Sequence, residues 1–403
     1  MGDVRPRVVL GVGAGIAAYK VCELLRRFTE GGADVRVVPT ADALRFVGAA
    51  TWEALSGNPV ATGVWEDVPE VPHVRLGKQA DLVVVAPATA DLLARAAHGL
   101  AHDLLTNTLL TARCPIVYAP SMHTEMWEHP ATQDNVALLR SRGAIVIDPA
   151  SGRLTGADTG PGRLPEPAEI HETALRVLRR GTAAADLTGR HVVVSAGGTR
   201  EALDPVRFLG NRSTGLQGYA LARTAVAREA KVTLVAANVA LPDPAGARVV
   251  DVVSAADMRA AVLEAARDAD AVVMAAAVAD FRPAHRQDTK IKKTDAKPAP
   301  IELVKNPDIL AELSAERPRP GQVITGFAAE TDDVLANARA KLRRKGCDLL
   351  VVNPVGETLA FGTPDNQAVV LAADGETVEI PRGPKEDLAD VVWDLVVRRL
   401  PAR

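Results

Sequence analysis

The feature that most constrains the fold of this 403-residue chain is a series of short, nearly uninterrupted Val- and Ile-rich runs, each followed by a helical pattern. The first half contains "RVVLGVGA", "DLVVVAPAT" and "PIVYAPS", and the second half contains "HVVVSAGG", "KVTLVAAN" and "AVVMAAAVAD". Continuous apolar strands that alternate with helices are typical of parallel sheets covered on both faces. The sequence therefore predicts the α/β class, with doubly wound, mainly parallel sheets that bind ligands at the carboxyl ends of their strands.

The length of the chain predicts two domains. The stretch "RRGTAAADLTGR" ends at residue 190 and is typical of a linker, and a new strand–glycine–helix unit follows it. We therefore expect domains over 1–180 and 191–403, with a linker over 181–190. Near the end, "AVVLAADGETVEI" predicts a hairpin around its Asp-Gly turn, and "KEDLADVVWDLVVRRL" predicts an amphipathic helix.

Composition excludes several classes of function. The 47 Lys and Arg residues nearly balance the 50 Asp and Glu residues, and aromatic residues make up only 3%, so we expect no nucleic acid partner. No apolar run reaches the roughly 18 residues that a membrane span needs, and we expect a cytoplasmic protein without a membrane partner. Cys22, Cys114 and Cys347 form no CxxC pair, which disfavours a disulfide framework or a structural zinc site.

A glycine-rich turn follows the first predicted strand. "VVLGVGAGIAAYK" places Gly11, Gly13 and Gly15 between a strand and a helix, where backbone N–H groups can approach a phosphate or a flavin. A plain tight turn is an equally good interpretation. Thr40 ends the second predicted strand, and its hydroxyl either binds a phosphate or caps the strand.

Three further segments of the first half carry unusual residues. His73 is expected just before a short helix. "PATAD" (87–91) and "APSMHTEMW" (119–127) follow buried strands, so both belong at the predicted ligand edge. The Gly-rich stretch 151–167 is long enough for a mobile lid, although a disordered loop is the simpler interpretation.

The second half offers two surfaces suited to phosphate. Gly197 and Gly198 end a strand, and the polar run from Asn211 to Thr214 precedes a helix start broken by Gly215. Such a helix N-terminus is suited to hold an anion. The G-x-G-x-x-G spacing with a later acidic residue is absent, which disfavours NAD.

Charged residues follow the next buried strand of the second half. Asp280 stands at its carboxyl end, and Lys290 lies in a polar loop with two further lysines. "NPDI" predicts a helix start capped by Asn306. Lys341 and Lys345 are four residues apart, which fits either a nucleotide site or one exposed helix face.

The segments of the first half, in this order, resemble the flavin-dependent cysteine decarboxylases over roughly residues 7–180. They are more similar to the decarboxylase half of the bifunctional phosphopantothenoylcysteine decarboxylase/phosphopantothenate–cysteine ligases of coenzyme A synthesis. The resemblance implies a flavodoxin-like flavoprotein domain with FMN, in which His73 is the catalytic base. It implies FMN contacts from Gly13, Gly15, Ile16, Thr40, Ala88, Thr89 and Asp91, and substrate contacts from Met122, His123, Gly156 and Asp158.

The chemistry that this resemblance implies needs both a flavin and a base. A carboxylate cannot leave a cysteinyl carbon directly, because the carbanion has nowhere to place its charge. Oxidation of the CH₂–SH group to a thioaldehyde turns that carbanion into an ene-thiolate, and His73 takes a proton during the oxidation. The reduced flavin then returns its electrons, and the protein places and shields the flavin.

The first half departs from the family pattern at two positions. The family's loop asparagine is His123 here, and its lid cysteine aligns with Gly156. Neither Cys22 nor Cys114 is an obvious substitute. The proton donor stays open among His123, lid residues such as Asp158, and water.

The second half resembles the ligase half of the same family from about residue 188 to 400, and the resemblance implies a Rossmann-like domain with Asn211 and Lys290 in catalysis. It implies CTP binding by Gly197, Gly198, Ser213, Ala275, Ala276, Asp280, Lys290, Asn306, Pro307, Asp308, Ile309, Phe327, Lys341 and Lys345. Mg²⁺ accompanies CTP, with metal ligands unassigned. The family also implies homo-oligomers.

The resemblance therefore predicts two reactions. CTP activates 4'-phosphopantothenate as an acyl-cytidylate, which cysteine's amine attacks, and FMN-dependent decarboxylation then gives 4'-phosphopantetheine. Asn211 donates hydrogen bonds to the acyl oxygen, while lysines and Mg²⁺ neutralise the triphosphate. Two alternatives stay open. One is an active ligase fused to a flavin-binding regulatory or scaffold half, which Gly156 favours. The other is an unrelated flavin or nicotinamide oxidoreductase.

Overall fold

The computed structural model describes residues 5–60, 63, 71–153, 159–181, 185–292, 300–330, 334–354 and 365–402. The chain divides into two compact units, Met1–Ala185 and Asp186–Arg403. The division falls inside the range that the sequence predicts as a linker. No helix in these described ranges is long and apolar enough to cross a membrane.

The first unit is built on a five-stranded parallel sheet with the order β2-β1-β3-β4-β5. Its strands are β1 (Arg7–Val12), β2 (Asp34–Pro39), β3 (Leu82–Ala88), β4 (Ile116–Pro120) and β5 (Ile145–Val146). An antiparallel ribbon of β6 (Ala150–Arg153) and β7 (Thr159–Arg163) follows. This strand order is that of doubly wound, flavodoxin-like folds, so the predicted fold class is confirmed for this unit.

Helices cover both faces of this sheet. They are α1 (Ala18–Glu30), α2 (Ala49–Ser56), α3 (Pro72–Gln79), α4 (Ala90–His98), α5 (Leu104–Thr111), α6 (Thr124–Glu128), α7 (Pro130–Ser141) and α8 (Pro167–Arg180), with a 3₁₀ turn at Ala43–Arg45. Neighbouring strand residues point to opposite faces. Val8 and Leu10 therefore pack with α1 and α8, whereas Val9 and Val83 pack with α4, α5 and α7. The uninterrupted apolar strands reflect this double coverage.

The second unit contains an eight-stranded sheet with the order β12-β11-β8-β13-β16-β17-β18-β19. Its strands are β8 (His191–Gly197), β11 (Lys231–Ala237), β12 (Ala247–Val252), β13 (Ala271–Met274), β16 (Val323–Glu330), β17 (Leu349–Pro354), β18 (Asp365–Ala372) and β19 (Thr377–Pro384). The first six strands in this order are parallel to one another. Strand β18 runs antiparallel to β17, and β19 runs antiparallel to β18. The predicted Asp-Gly hairpin is present, and Gly375 turns it with a φ of +95°.

Helices also cover both faces of the second sheet. They are α9 (Leu216–Ala227), α10 (Ala255–Ala266), α11 (Ile309–Ala315), α12 (Val334–Lys345) and α13 (Lys385–Val397). Two short ribbons, β9 (Arg200–Ala202) with β10 (Phe208–Gly210) and β14 (Phe281–Pro283) with β15 (Leu303–Lys305), flank the sheet. Tyr219 and Trp393 place α9 and α13 on one face, whereas Met258, Leu313 and Leu342 place α10, α11 and α12 on the other.

A buried ion-pair network ties the start of the second unit to its last helix. The Arg228 guanidinium is 2% exposed and contacts the carboxylates of Asp186, Asp390 and Asp394. Burial alone would lower the pKa of Arg228, but the Asp186 hydrogen bonds and the three carboxylate charges raise it. A buried charge is tolerated when it is paired in this way, so residue 186 is fixed within the second unit.

Candidate functional site

The glycine turn of the first unit packs directly against the end of β3. The Gly13 N–H donates to the Pro87 carbonyl at 3.1 Å, and a Cβ at Gly13 would overlap that oxygen. The turn therefore requires glycine at position 13, where it lies beside the end of β3. Ile16, the next predicted FMN contact, projects into solvent with 70% of its surface exposed.

Two threonine hydroxyls begin helical turns at this edge. Thr40 Oγ1 accepts from the Ala43 N–H, and Thr89 Oγ1 accepts from the Leu92 N–H, each at 3.2 Å. Each hydroxyl keeps its own hydrogen for donation to an anion. Asp91, in the first turn of α4, pairs with Arg95 at 3.0 Å.

The Ala88 side chain is buried in the core instead of facing the edge. Its carbonyl accepts from the Ser121 N–H at 3.1 Å. This bond brings the loop after β4 beside the loop after β3. The two predicted strand-end segments therefore lie side by side.

His73 lies in the first turn of α3, not before the helix as the sequence suggested. Pro72 begins α3 because proline is favoured in the first helical turn, and it carries His73 into the helix. The His73 carbonyl accepts from Thr111 Oγ1 at 2.7 Å. Its Nδ1 is buried and has no hydrogen-bond partner among the described residues. Buried polar atoms are nearly always satisfied, so this nitrogen is suited to exchange a proton with a bound molecule.

The β6–β7 ribbon docks on the turn after β4. The Met122 N–H donates to the Gly162 carbonyl at 2.9 Å, and side chains at Gly160 and Gly162 would overlap Thr124 and Met122. Thr124 Oγ1 is buried and unpartnered within the described part of the chain. The ribbon's glycines thus permit its close approach to this turn.

The structure describes His123 but not the two predicted lid residues. His123 is exposed at the residue before α6, and its side chain caps no N–H group. Gly156 and Asp158 lie outside the described residues.

The three cysteines are partly or fully buried. Burial raises the thiol pKa of Cys22 and Cys114, and it raises that of Cys347 to about 11. Cys22 lies within α1, and Cys114 precedes β4 at the opposite end from the ligand edge. That neither Cys22 nor Cys114 is an obvious substitute for the family's lid cysteine stays a prediction.

A large cavity opens at the carboxyl edge of the sheet in the second unit, with a volume of about 960 Å³. Its size suits a nucleotide together with a second small substrate. The predicted residues that line it are Asn211, Ser213, Ala275, Ala276, Asp280, Asn306, Pro307, Asp308, Ile309, Phe327, Lys341 and Lys345. The structure therefore brings most of the predicted nucleotide residues to one cavity.

The loop before α9 forms one wall of this cavity. Gly215 adopts φ +82°, a left-handed conformation that favours glycine, and α9 begins directly after it. Gly218 lets the helix lie against β8, because a Cβ there would overlap Ala196. Asn211 Nδ2 donates to the Val278 carbonyl at 3.1 Å. The positive end of the α9 dipole thus faces the cavity.

The second wall is held together by Asn306. Its Nδ2 donates to the Ala279 carbonyl at 2.8 Å, its N–H donates to the Asp280 carbonyl at 2.9 Å, and its Oδ1 accepts from Arg282 at 3.0 Å. The prediction that Asn306 caps the next helix is therefore wrong, because its side-chain oxygen accepts from Arg282 and not from a helix N–H. Asp308 is the cap, since its Oδ1 accepts from the Ala311 N–H at 3.1 Å.

Helix α12 places cationic side chains at the cavity. Lys341, Arg344 and Lys345 all line it, and Lys345 forms an ion pair with Asp308. Burial alone would raise the pKa of Asp308, but hydrogen bonds from Lys345 and the Ala311 amide, with the nearby Lys345 and Arg344 charges, lower it overall. The interpretation of Lys341 and Lys345 as a merely solvated face is wrong, because both are partly buried against this wall.

Three predicted residues do not line the cavity. Lys290 is exposed, and the next N–H, that of Ile291, donates to Asp204 at 3.1 Å. Gly197 and Gly198 instead support the walls. A Cβ at Gly197 would overlap the Ala237 carbonyl, and one at Gly198 would press on the Asn211 carbonyl.

Sequence reasoning missed several polar lining residues. They are Gln217, Lys305, Arg344, Asn353, Asn366 and Lys385. An antiparallel strand begins where its parallel neighbour ends, so β18 starts and β19 ends at the ligand edge. The Asp-Gly hairpin was the available signal for Asn366 and Lys385. No group of three His, Cys, Asp or Glu side chains suited to a metal ion occurs in the described ranges.

Comparison with known proteins extends these observations. The Flavoprotein family model matches residues 2–179, and the model described as DNA/pantothenate metabolism flavoprotein C-terminal domain matches 187–400. The Mycolicibacterium smegmatis coenzyme A biosynthesis bifunctional protein CoaBC is 60% identical over 405 residues, covering 98% of each chain. The Bacillus subtilis protein of the same name is 43% identical over 386 residues, covering 95% of this chain and 94% of its own.

A solved C-terminal domain of a coenzyme A biosynthesis bifunctional protein CoaBC is 36% identical and covers 53% of this chain and 97% of its own, with a TM-score of 0.46. The two family models together describe a flavoprotein joined to a pantothenate-metabolism domain. The chain belongs to the family of the coenzyme A biosynthesis bifunctional protein CoaBC. It is a bifunctional decarboxylase and ligase, which confirms the predicted activities and favours them over a scaffold role for the first half.

Proposed function

We propose that the cavity of the second unit joins cysteine to 4'-phosphopantothenate at the expense of CTP. We propose further that the carboxyl edge of the first unit decarboxylates the product to 4'-phosphopantetheine. The observation that carries the first part is the combination, in one cavity, of the α9 N-terminus, the α12 cations and the Asn211 amide. A polyanion needs such cations, and a developing oxyanion needs such a donor.

The proposed ligation proceeds in two displacements. A carboxylate oxygen of 4'-phosphopantothenate bonds to the α-phosphorus of CTP, the bond from that phosphorus to the bridging oxygen breaks, and pyrophosphate leaves. The cysteine nitrogen then bonds to the acyl carbon, CMP leaves with the former carboxylate oxygen, and the nitrogen loses a proton. Asn211 stands in the cavity wall formed by the loop before α9, where its amide can donate to the acyl oxygen as charge develops.

We propose that two sets of cavity residues bind different parts of CTP. Asp280, Phe327 and the 306–309 segment are proposed to hold the cytidine, and Lys341 and Lys345 the triphosphate. Mg²⁺ is proposed to accompany the triphosphate and to lower its repulsion toward the attacking carboxylate. The family resemblance alone supports a role for Lys290.

The carboxyl edge of the first unit fits a bound flavin mononucleotide. The Gly13 turn leaves no room for a side chain, and Thr40 and Thr89 each keep a hydroxyl hydrogen for a phosphate. Gly15, Ile16, Ala88 and Asp91 complete the set proposed to hold FMN. When bound, FMN supplies a two-electron acceptor for the cysteinyl CH₂–SH group.

The chain's own side chains are proposed to handle the protons and the carboxylate. His73 Nδ1, buried and without a partner among the described residues, takes the proton from the CH₂–SH group. Met122 and His123 belong to the turn on which the β6–β7 ribbon docks, and this turn is proposed to hold the substrate carboxylate. Gly156 and Asp158, outside the described residues, are proposed as substrate contacts on the family resemblance alone. His123, Asp158 and water are the candidate donors for the final proton.

One incubation tests both parts. The purified protein is mixed with 4'-phosphopantothenate, cysteine, CTP and Mg²⁺, and the products are identified by mass spectrometry. We expect 4'-phosphopantetheine and CMP. Accumulation of phosphopantothenoylcysteine would contradict the decarboxylase assignment, and unchanged CTP would contradict the ligase assignment.

We also propose that the protein is a homo-oligomer. The support is the family resemblance, together with large apolar side chains such as Tyr19 and Phe208 that are more than half exposed. Light scattering coupled to size-exclusion chromatography measures the molar mass of the assembly. A molar mass equal to that of one chain would contradict the proposal.

A further inference from the structure

A second group of polar side chains lines the cavity opposite the α12 cations. Lys385 and Asn366 are only 4% and 6% exposed, and Gln217 and Asn353 join them. Gln217 and Lys385 come from α9 and α13, which cover the face of the sheet opposite to α12. The cavity thus has positive charge at two separate ends.

Hydrogen bonds fix this group in place. Gln217 Nε2 donates to the Lys385 carbonyl at 3.2 Å, and Asn366 Nδ2 donates to Gln217 Oε1 at 2.9 Å. The Lys385 ammonium donates to the Asp365 carbonyl at 3.0 Å. Asn353 Oδ1 is buried and has no partner within the described residues. The group is therefore ordered before any ligand arrives.

The position of Lys385 favours an anionic ligand. Burial lowers the pKa of its ammonium, and the Glu386 and Asp365 charges only partly oppose this. An anion bound in the cavity would stabilise the ammonium and offset the free energy lost when it is buried. The same part of the cavity receives the first turn of α9, through Leu216 and Gln217, whose helix dipole also favours an anion.

We propose that Lys385, positioned by Gln217 and Asn366, binds the terminal phosphate of CTP. The triphosphate is then held by cations from both faces of the sheet, α12 on one side and Lys385 on the other. Lys385 contacts the group that departs as pyrophosphate, so it distinguishes a triphosphate from a monophosphate, whereas Gln217 and Asn366 are positioning residues. This inference rests on the proposed ligase function.

The test compares nucleotide affinities of the full-length protein by titration calorimetry. Lys385→Met and Lys385→Gln remove the charge, and the Gln variant keeps a donor for the Asp365 carbonyl. Lys385→Arg retains the charge, and Lys231→Met removes an exposed lysine at the opposite edge of the sheet. CTP and CMP are each titrated, and the KM values for CTP and 4'-phosphopantothenate are measured.

We expect both neutral variants to bind CTP about tenfold to a hundredfold more weakly, the range of a charge-assisted hydrogen bond. CMP affinity should change by less than about twofold. Lys385→Arg should keep more CTP affinity than the neutral variants, and Lys231→Met should bind CTP like the original protein. Equal losses for CTP and CMP would overturn the proposal, because they would indicate a purely structural role.

Two further results would overturn it. A raised KM for 4'-phosphopantothenate with unchanged CTP affinity would assign Lys385 to that substrate's phosphate. Unchanged CTP affinity and KM values would show that Lys385 contacts no phosphate. An unsubstituted protein that binds neither CTP nor CMP would instead refute the proposed ligase function, so the two failures are distinguishable.

Discussion

The two units present candidate sites of different construction. The first unit's edge is built from backbone: a turn that admits only glycine at Gly13, two threonine caps, and a ribbon whose glycines let it approach the Met122 turn. The cavity of the second unit is built from side-chain charge and amides. A flat ring with one phosphate needs close contact, whereas a triphosphate needs neutralisation. The physical demands of each ligand therefore explain the difference.

The strongest way to separate the two sites is His73→Asn. Loss of the base should slow decarboxylation by about 10²- to 10⁴-fold, the usual contribution of general acid–base catalysis. Ligation should be unaffected, because His73 belongs to the other unit. Phosphopantothenoylcysteine should therefore accumulate in the coupled reaction. Continued formation of 4'-phosphopantetheine at the original rate would show that another group is the base.

Gly13→Ala tests whether backbone geometry defines the first site. The new Cβ would overlap the Pro87 carbonyl, and the required backbone shift costs about 1–3 kcal/mol. We expect the purified variant to lose its visible flavin absorption while CTP-dependent ligation continues. Gly48→Ala is the matched control, because its Cβ would meet open space. A variant at Gly13 that retains flavin as tightly as this control would contradict the assignment.

Arg344→Gln tests whether α12 charge defines the second site. Arg344 and its neighbour Arg343 are both exposed, but only Arg344 lines the cavity. We expect the KM for CTP to rise about two- to fivefold for Arg344→Gln, the scale of an exposed ion pair. The effect should shrink at high ionic strength. An equal rise for Arg343→Gln would show a general charge effect, not a contact.

The smallest expected effect concerns Asp308. Its pKa is lowered in the folded protein, so its ionised form adds stability above the ordinary value of 3.8 and loses it as pH falls through the lower folded value. Because the side chain is about half exposed, the contribution should stay below about 1 kcal/mol. Asp308→Asn keeps a capping oxygen and removes the titration.

Urea unfolding between pH 3 and 6 measures this effect as a difference between the two proteins. The difference in free energy of unfolding between the original protein and Asp308→Asn should decrease as the pH falls. A gap independent of pH would show that the ion pair with Lys345 does not stabilise the fold.

The sequence was informative wherever one local pattern decides the structure. Uninterrupted apolar strands predicted both parallel sheets, and the Asp-Gly turn predicted the last hairpin. Asn306 and Asp308 show the limit, because either residue can cap a helix. The choice was made by the Ala279 carbonyl and the Arg282 guanidinium, which are distant in sequence and bond to the nitrogen and the oxygen of the Asn306 side chain.

The candidate site was predictable to a similar degree. Asp280 was found because it follows β13, a parallel strand whose carboxyl end lies at this edge, and Asn211 was found because its polar run precedes the start of α9. Asn366 and Lys385 were not, because their position depends on strand direction within the hairpin. The sequence also did not show that Arg344 faces the cavity. The rotation of α12 about its axis is set by the packing of Ala338 and Leu342 against the sheet.

The reversal of β18 has a consequence for the order in which the cavity forms during synthesis. It places Lys385 and the start of α13 at the cavity beside Gln217, which lies 168 residues earlier in the sequence. Synthesis proceeds from the first residue to the last, so the wall formed by α13 leaves the ribosome after the wall formed by α9. A chain terminated before residue 385 lacks the α13 wall, and its cavity is therefore incomplete.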